Sequence, residues 1–371
     1  MTNLSTPFMP DWVSPPGETI LDIAEERGWS QKELAARLGF SEKHVSQLIK
    51  GDVTLTFETA MRLERVLGSN CNFWLSRENK YREHKARLEA ARQCQEWQGW
   101  LDELPIAELK KSGHIDDLRL TPKNRPTIVE HCLRFFGVAS PDEWRSYYAG
   151  MQVSFRRSRI EQTDIGAISS WLRIGEISAE NIDTPKFNRA RFESSLHAIR
   201  KLTVEDPENF QAKMIDLLKE SGVVFALIPS IPRAHVSGVA RWLTPSRPLI
   251  QMSLYGKSND RFWFTFFHEA AHILLHANSN EEKKSVFLDD PVSSESTDIK
   301  EIEANKWASE MLIPESEMPS LVGLRSKASV IEFANHIGVH PGIVVGRMQH
   351  EGVIDPSWFN DLKQRYQLIN P

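Results

Sequence analysis

The stretch of sequence richest in chemistry reads Asp260-Arg-Phe-Trp-Phe-Thr-Phe-Phe-His268-Glu269-Ala-Ala-His272-Ile-Leu-Leu-His276. His268 and His272 are four residues apart, so on a helix they share one face and both imidazoles reach a single ion. Glu269 is offset enough to address a water held by that ion. Neutral imidazoles suit Zn2+, an open ligand position admits water, and the ion lowers that water's pKa towards about 7. A carboxylate then takes the proton as the water attacks a carbonyl, which makes Glu269 the candidate general base. The flanking run is apolar nearly all round and predicts a central, buried helix with Asp260 as its N-cap. Two histidines and a glutamate buried there without a shared partner would cost on the order of several kcal/mol, so a common metal explains them better than coincidence.

The third ligand has two candidates. A histidine-rich zincin would carry Gly three residues after His272 and His three beyond that, where this chain has Leu275 and Asn278. A gluzincin takes its third ligand from a later helix, and the segment from Thr297 to Pro314 reads as one, with a capping candidate at its start and a proline stop. Glu301 and Glu303 both flank its apolar face of Ala304, Trp307, Ala308 and Met311, and periodicity does not choose between them. His276, one turn beyond His272, is a rival ligand whose plainer role is to support the site from outside, and it is left out of the ligand set.

A second constellation lies near the N-terminus. Ser30-Gln-Lys-Glu33 is a capping box opening a short helix to Leu38, Gly39-Phe40-Ser41 turns the chain, and Ser41 caps a second helix through Ile49. Leu34, Ala35 and Leu38 face Val45, Leu48 and Ile49, leaving Glu42, Lys43, His44, Ser46, Gln47 and Lys50 outward, hydrogen-bonding side chains suited to base edges.

The elements that must position these groups fall into three zones. Residues 15–85 read as a compact all-helical unit, residues 86–205 as a helical linker or interaction region with proline breaks and no chemical motif, and residues 206–350 as an α+β domain. The last opens with apolar runs read as strands at Gly222–Pro229, Val236–Leu243 and Pro248–Tyr255, ahead of the histidine helix; residues 351–371 form a tail. The composition, 40% hydrophobic and 26% charged, is that of a water-soluble protein, and no run is apolar enough for a membrane span. The start of the chain lacks the pattern of a secretory signal, and three scattered cysteines suit neither a disulfide framework nor a cysteine-based zinc site, so the cytoplasm is the expected compartment. A net charge of −5 argues against a protein that coats nucleic acid along its whole surface and confines any DNA contact to one local face.

Two resemblances sharpen this reading. Residues 206–348 resemble the ImmA/IrrE metallo-endopeptidases through Phe262–His276, Glu301-Ile-Glu-Ala-Asn305, Met311-Leu-Ile-Pro314 and Gly342-Ile-Val-Val-Gly-Arg-Met348, with Ala271 where many members have Gly. The resemblance implies a zinc peptidase that cleaves a regulatory protein, and it implies Glu303, the carboxylate directly before Ala-Asn, as third ligand. Residues 15–83 resemble the XRE-type helix-turn-helix of HigA antitoxins through Glu33-Leu-Ala-Ala-Arg-Leu-Gly39, Val45-Ser-Gln-Leu-Ile-Lys-Gly51 and Asn72-Phe-Trp-Leu75. This implies operator binding as a homodimer through Gln31, Lys43, Ser46 and Gln47.

The combined expectation is a multi-domain chain: an all-α helix-turn-helix domain, a helical middle, and a gluzincin-like α+β metallopeptidase domain. Its function is then a DNA-binding regulator fused to a zinc endopeptidase, with a repressor, a cognate toxin or its own chain as substrate. Two alternatives differ in class. One is a HigA-like antitoxin or autorepressor whose metal domain senses or scaffolds without cleaving, and the other a metal hydrolase acting on a non-peptide substrate. The presence of Glu269, which hydrolysis needs and metal binding alone does not, favours the peptidase.

Overall fold

A computed structural model describes residues 14–156, 164–254, 258–276, 287–289 and 298–366. The extreme N-terminus, Tyr255 at the end of the third expected strand, Thr297 and the last residues of the expected tail lie outside them. The chain forms two compact units, Met1–Gln98 with Arg125–Thr127, and Gly99–Asn124 with Ile128–Pro371. None of the described helices is long and apolar enough to cross a membrane.

The first unit is all helical: α1 (Pro16–Glu26), α2 (Gln31–Leu38), α3 (Glu42–Lys50), α4 (Phe57–Leu67) and α5 (Cys71–Glu96). Each start carries its own local reason. Pro16 sits at the first position of α1, and the side chains of Ser30, Ser41, Thr56 and Asn70 accept from backbone N–H groups three residues on. At α2 only half of the expected capping box forms, because the Glu33 carboxylate turns to Arg37 at 2.8 Å. Helix α2 closes on Gly39 at φ 71°, a left-handed conformation that glycine adopts without steric cost and that lets Ser41 open α3 two residues later. Ile20, Leu34, Leu38, Val45, Leu48, Leu63 and Trp74 bury one shared core. Arg27 ties α1 to the far end of α4 by donating to the carbonyls of Val66 and Leu67.

The second unit begins with a helical middle, α6 (Ile106–Lys111), α7 (Arg125–Phe136), α8 (Pro141–Arg156), α9 (Ile165–Glu180) and α10 (Arg189–Lys201). The α+β region follows: α11 (Pro207–Glu220), β1 (Val224–Leu227), β2 (Gly238–Thr244), β3 (Arg247–Met252), α12 (Asn259–Leu275), β4 (Phe287–Asp289), α13 (Ile299–Leu312), α14 (Met318–Leu321), α15 (Lys327–Ile337) and α16 (Pro341–His350). The sheet order is β1-β3-β2-β4. Strand β1 runs parallel to β3, pairing Phe225 with Ile250, and β2 lies antiparallel to both neighbours, pairing Ala240 with Ile250 and Val239 with Leu288.

Most of the helical middle belongs to the same compact body as the sheet, so it does more than link two domains. Helix α9 packs on β1 and β3, with Trp171 and Leu172 fully buried. Buried Arg241 of β2 meets Glu176 of α9 at 2.6 Å, and the Gln251 side-chain amide donates to the Trp171 carbonyl at 2.7 Å. The C-terminal stretch also docks: the Trp263 indole N–H donates to the buried Tyr366 hydroxyl at 3.0 Å, and Asn259 and Gln364 exchange two further bonds. These contacts fix the start of α12, which opens at Asn259 after Ser258; Asp260 falls inside the first turn and pairs with Lys363 at 2.7 Å.

Candidate functional site

Helix α12 is enclosed as its apolar run requires. Phe262, Trp263, Phe266, Phe267, Ala270, Ala271, Ile273 and Leu274 are all buried, and the helix packs against β2, β3, α13 and α16. His268, Glu269 and His272 are at most 2% exposed. The four-residue spacing brings His268 Nε2 and His272 Nε2 to 3.0 Å from each other.

The third member of this cluster comes from α13, and it is Glu301. Its carboxylate oxygens lie 3.1 Å from His268 Nε2 and 3.4 Å from His272 Nε2. Glu303, the ligand expected from the family resemblance, is 56% exposed at its side chain and turns instead to His276, whose Nε2 is 3.0 Å away. The reason lies in which line of α13 is buried. Ala304, Ala308 and Leu312 are the buried positions, and Glu301 continues that line by one turn, whereas Glu303 continues the half-exposed line of Trp307 and Met311. Alanines at 304 and 308 let α13 approach α12 closely enough for a glutamate to span the gap.

The donor set fits a metal ion. His268, His272 and Glu301 each offer one ligand atom, all within 4.8 Å of one another. A tetrahedral zinc ion with bonds of roughly 2.0–2.1 Å spaces its ligand atoms at about 3.3–3.4 Å, close to the separations found. Burial holds the His272 imidazole down to about 4, so at neutral pH the ring is uncharged, the form that ligates. At Glu301 burial works to raise the carboxyl, but its contacts with the His268 and His272 imidazoles outweigh it and hold the group below the usual carboxylate range. The trio thus offers the neutral His272 nitrogen, a second imidazole nitrogen and one anionic oxygen.

Glu269 is completely buried beside this cluster, on the side of β2. An added Cβ at Gly238, the first residue of β2, would lie 2.9 Å from Glu269 Oε1 and 2.7 Å from Thr265 Cγ2. Only a glycine leaves room for the carboxylate at that point. Sequence reasoning missed Gly238; its one signal was a glycine inside an apolar strand pattern, a mark of close approach by another group.

In the first unit α3 keeps its polar face in solvent. Lys43 and Lys50 are exposed, Ser46 and Gln47 are half-buried, and Gln31 is exposed in the first turn of α2. His44 differs, since its ring packs on Phe40 with centroids 4.6 Å apart. From Ser30 to Gly51 four basic side chains stand against two acidic ones, and Arg37 already pairs with Glu33. The surface is mildly positive within an acidic chain.

Two family models match the chain. Residues 20–74 match the family model described as helix-turn-helix, and residues 229–348 match that of the IrrE N-terminal-like domain, Peptidase M78. No curated protein matches the chain. The N-terminal part of the chain therefore holds a helix-turn-helix domain of DNA-binding type, and the C-terminal part a metallopeptidase-like domain with a His/Glu site that could hold a metal ion.

Proposed function

We propose that a chain joining these two domains is a DNA-binding transcriptional regulator with an attached zinc-dependent endopeptidase, which hydrolyses a peptide bond in another regulatory protein or in its own chain. The observation that carries this reading is the triangle of His268 Nε2, His272 Nε2 and a Glu301 carboxylate oxygen, with buried Glu269 beside it. His268, His272 and Glu301 hold the ion. Bound there, zinc would supply a Lewis acid for the peptide carbonyl and acidify a water. Glu269 accepts the proton of the attacking water and returns it to the amide nitrogen as the C–N bond breaks. Gly238, having no Cβ, leaves room for the Glu269 carboxylate on the side of β2. In the helix-turn-helix domain, Gln31, Lys43, Ser46, Gln47 and Lys50 face operator DNA, with the chain acting as a homodimer, while His44 supports the helix through Phe40.

A second reading, an antitoxin-like autorepressor whose metal site senses or scaffolds, draws on the near-complete burial of both imidazoles. Glu269→Gln separates the two. The variant is expected to keep the parental zinc content and operator affinity while proteolysis falls by about 10²–10⁴-fold. The measurement is metal content together with sequencing of proteins cleaved in cells that express parent or variant. Cleavage by the variant at the parental rate would remove Glu269 as the base. No cleavage by either form, with zinc present in both, would leave the autorepressor.

A further inference from the structure

The three histidines of α12 form a series, and the third is not idle at the helix end. His276 is 4% exposed, with partners at both ring nitrogens. Its Nδ1 lies 3.1 Å from His272 Nδ1, the ring atom of His272 that faces away from the cluster. Its Nε2 lies 3.0 Å from Glu303 Oε2. A continuous chain therefore runs from a half-exposed carboxylate through two imidazoles to the nitrogen that faces His268 and Glu301.

We infer that His276 and Glu303 are positioning residues for the metal centre: together they fix the tautomer and the ring orientation of His272. One arrangement of the ring protons satisfies both outer contacts, His276 with Glu303 and His272 with His276, and leaves a lone pair on His272 Nε2 for an ion. The Glu303 carboxylate can only accept, so the His276 proton resides on Nε2 and donates to it. His276 Nδ1 is left with a lone pair and accepts the proton on His272 Nδ1. His272 Nε2 then carries its lone pair into the cluster, which is the form a metal requires. In the opposite arrangement a lone pair on His276 Nε2 would face the carboxylate at 3.0 Å, and His272 Nε2 would carry a proton where the ion binds. Two carboxylates on one turn of α13 thereby divide the work, Glu301 inside the cluster and Glu303 at the outer end of the chain. A carboxylate acting on a ligating histidine through a second imidazole extends the usual case, in which the outer carboxylate touches the ligand directly.

This inference rests on His272 being a metal ligand, as proposed above, and the test keeps the two apart. Zinc dissociation constants are measured on the full chain by competition with a chromophoric chelator, alongside thermal unfolding of the metal-free proteins. His276→Ala and Glu303→Ala are expected to weaken zinc binding by about 10–100-fold, with Glu303→Gln weakening it less because an acceptor oxygen remains. His276→Asn, whose Oδ1 can take the place of Nδ1 as acceptor, is expected to recover part of the loss, and His276→Gln, which lacks that acceptor, is not. Glu303 is half exposed, so its variants fold as the parent does and their metal-free unfolding temperatures stay put. Zinc affinity within about twofold of the parent in both alanine variants, while His268→Ala loses the metal, overturns the relay and leaves the metal centre standing. Parent and His268→Ala binding zinc alike overturns both.

Discussion

Helix α3 and helix α12 each carry a run of polar side chains that a short stretch of sequence makes visible, and they use them in opposite ways. In α3 the capping serine, the left-handed glycine before it and the apolar face are all local, and Lys43, Ser46, Gln47 and Lys50 need only be left in or near solvent. In α12 the polar groups are buried as deeply as the apolar ones around them, and each depends on an element distant in sequence: Glu301 and Glu303 from α13, Gly238 from β2. A site that reads a large external partner can be specified within some twenty residues. A site that holds an ion and a reacting water needs walls, and walls come from tertiary packing.

That contrast can be broken or sharpened by experiment. The largest effect is expected from Gly238→Ala, because the new methyl group would press on both Glu269 and Thr265. The expected cost is about 2–3 kcal/mol of unfolding free energy, with loss of proteolysis and retention of zinc, checked by denaturant titration, metal analysis and a cleavage assay. Retained cleavage would mean that Glu269 reaches its task from another position. Next comes the double replacement Lys43→Ala with Gln47→Ala, expected to weaken operator binding by about 10–100-fold while stability and zinc content stay unchanged. Affinity that keeps the parental value and salt dependence would remove α3 from the interface. The smallest is Ser41→Ala, which leaves the His44 N–H without its side-chain acceptor and should cost about 1 kcal/mol of stability in the first unit, with peptide hydrolysis unaffected. Coupled loss of hydrolysis would show that the two units depend on each other.

The elements themselves were largely legible. Among the described residues, three of the four strands coincide with apolar runs, and the starts of α2 and α3 coincide with serine caps. Strand β4 was not visible, being three residues long and held by pairing to β2. The role of the helical middle was also hidden, since the burial of α9 against the sheet depends on Arg241 and Gln251, polar residues of strands that no pattern in α9 announces.

What the sequence determined by itself is whatever depends on neighbours within a turn or two: the shared face of His268 and His272, the adjacency of Glu269, the Ser-capped helices and the glycine between them. What only the tertiary structure decided is which of two glutamates, two residues apart, enters the cluster. That choice depends on how α13 is rotated against α12, and the rotation is set by the buried line of Ala304, Ala308 and Leu312. A difference of two residues turns a side chain through more than half of the helix circumference. Glu301 therefore faces the two histidines, while Glu303 reaches only the edge of the site, at His276.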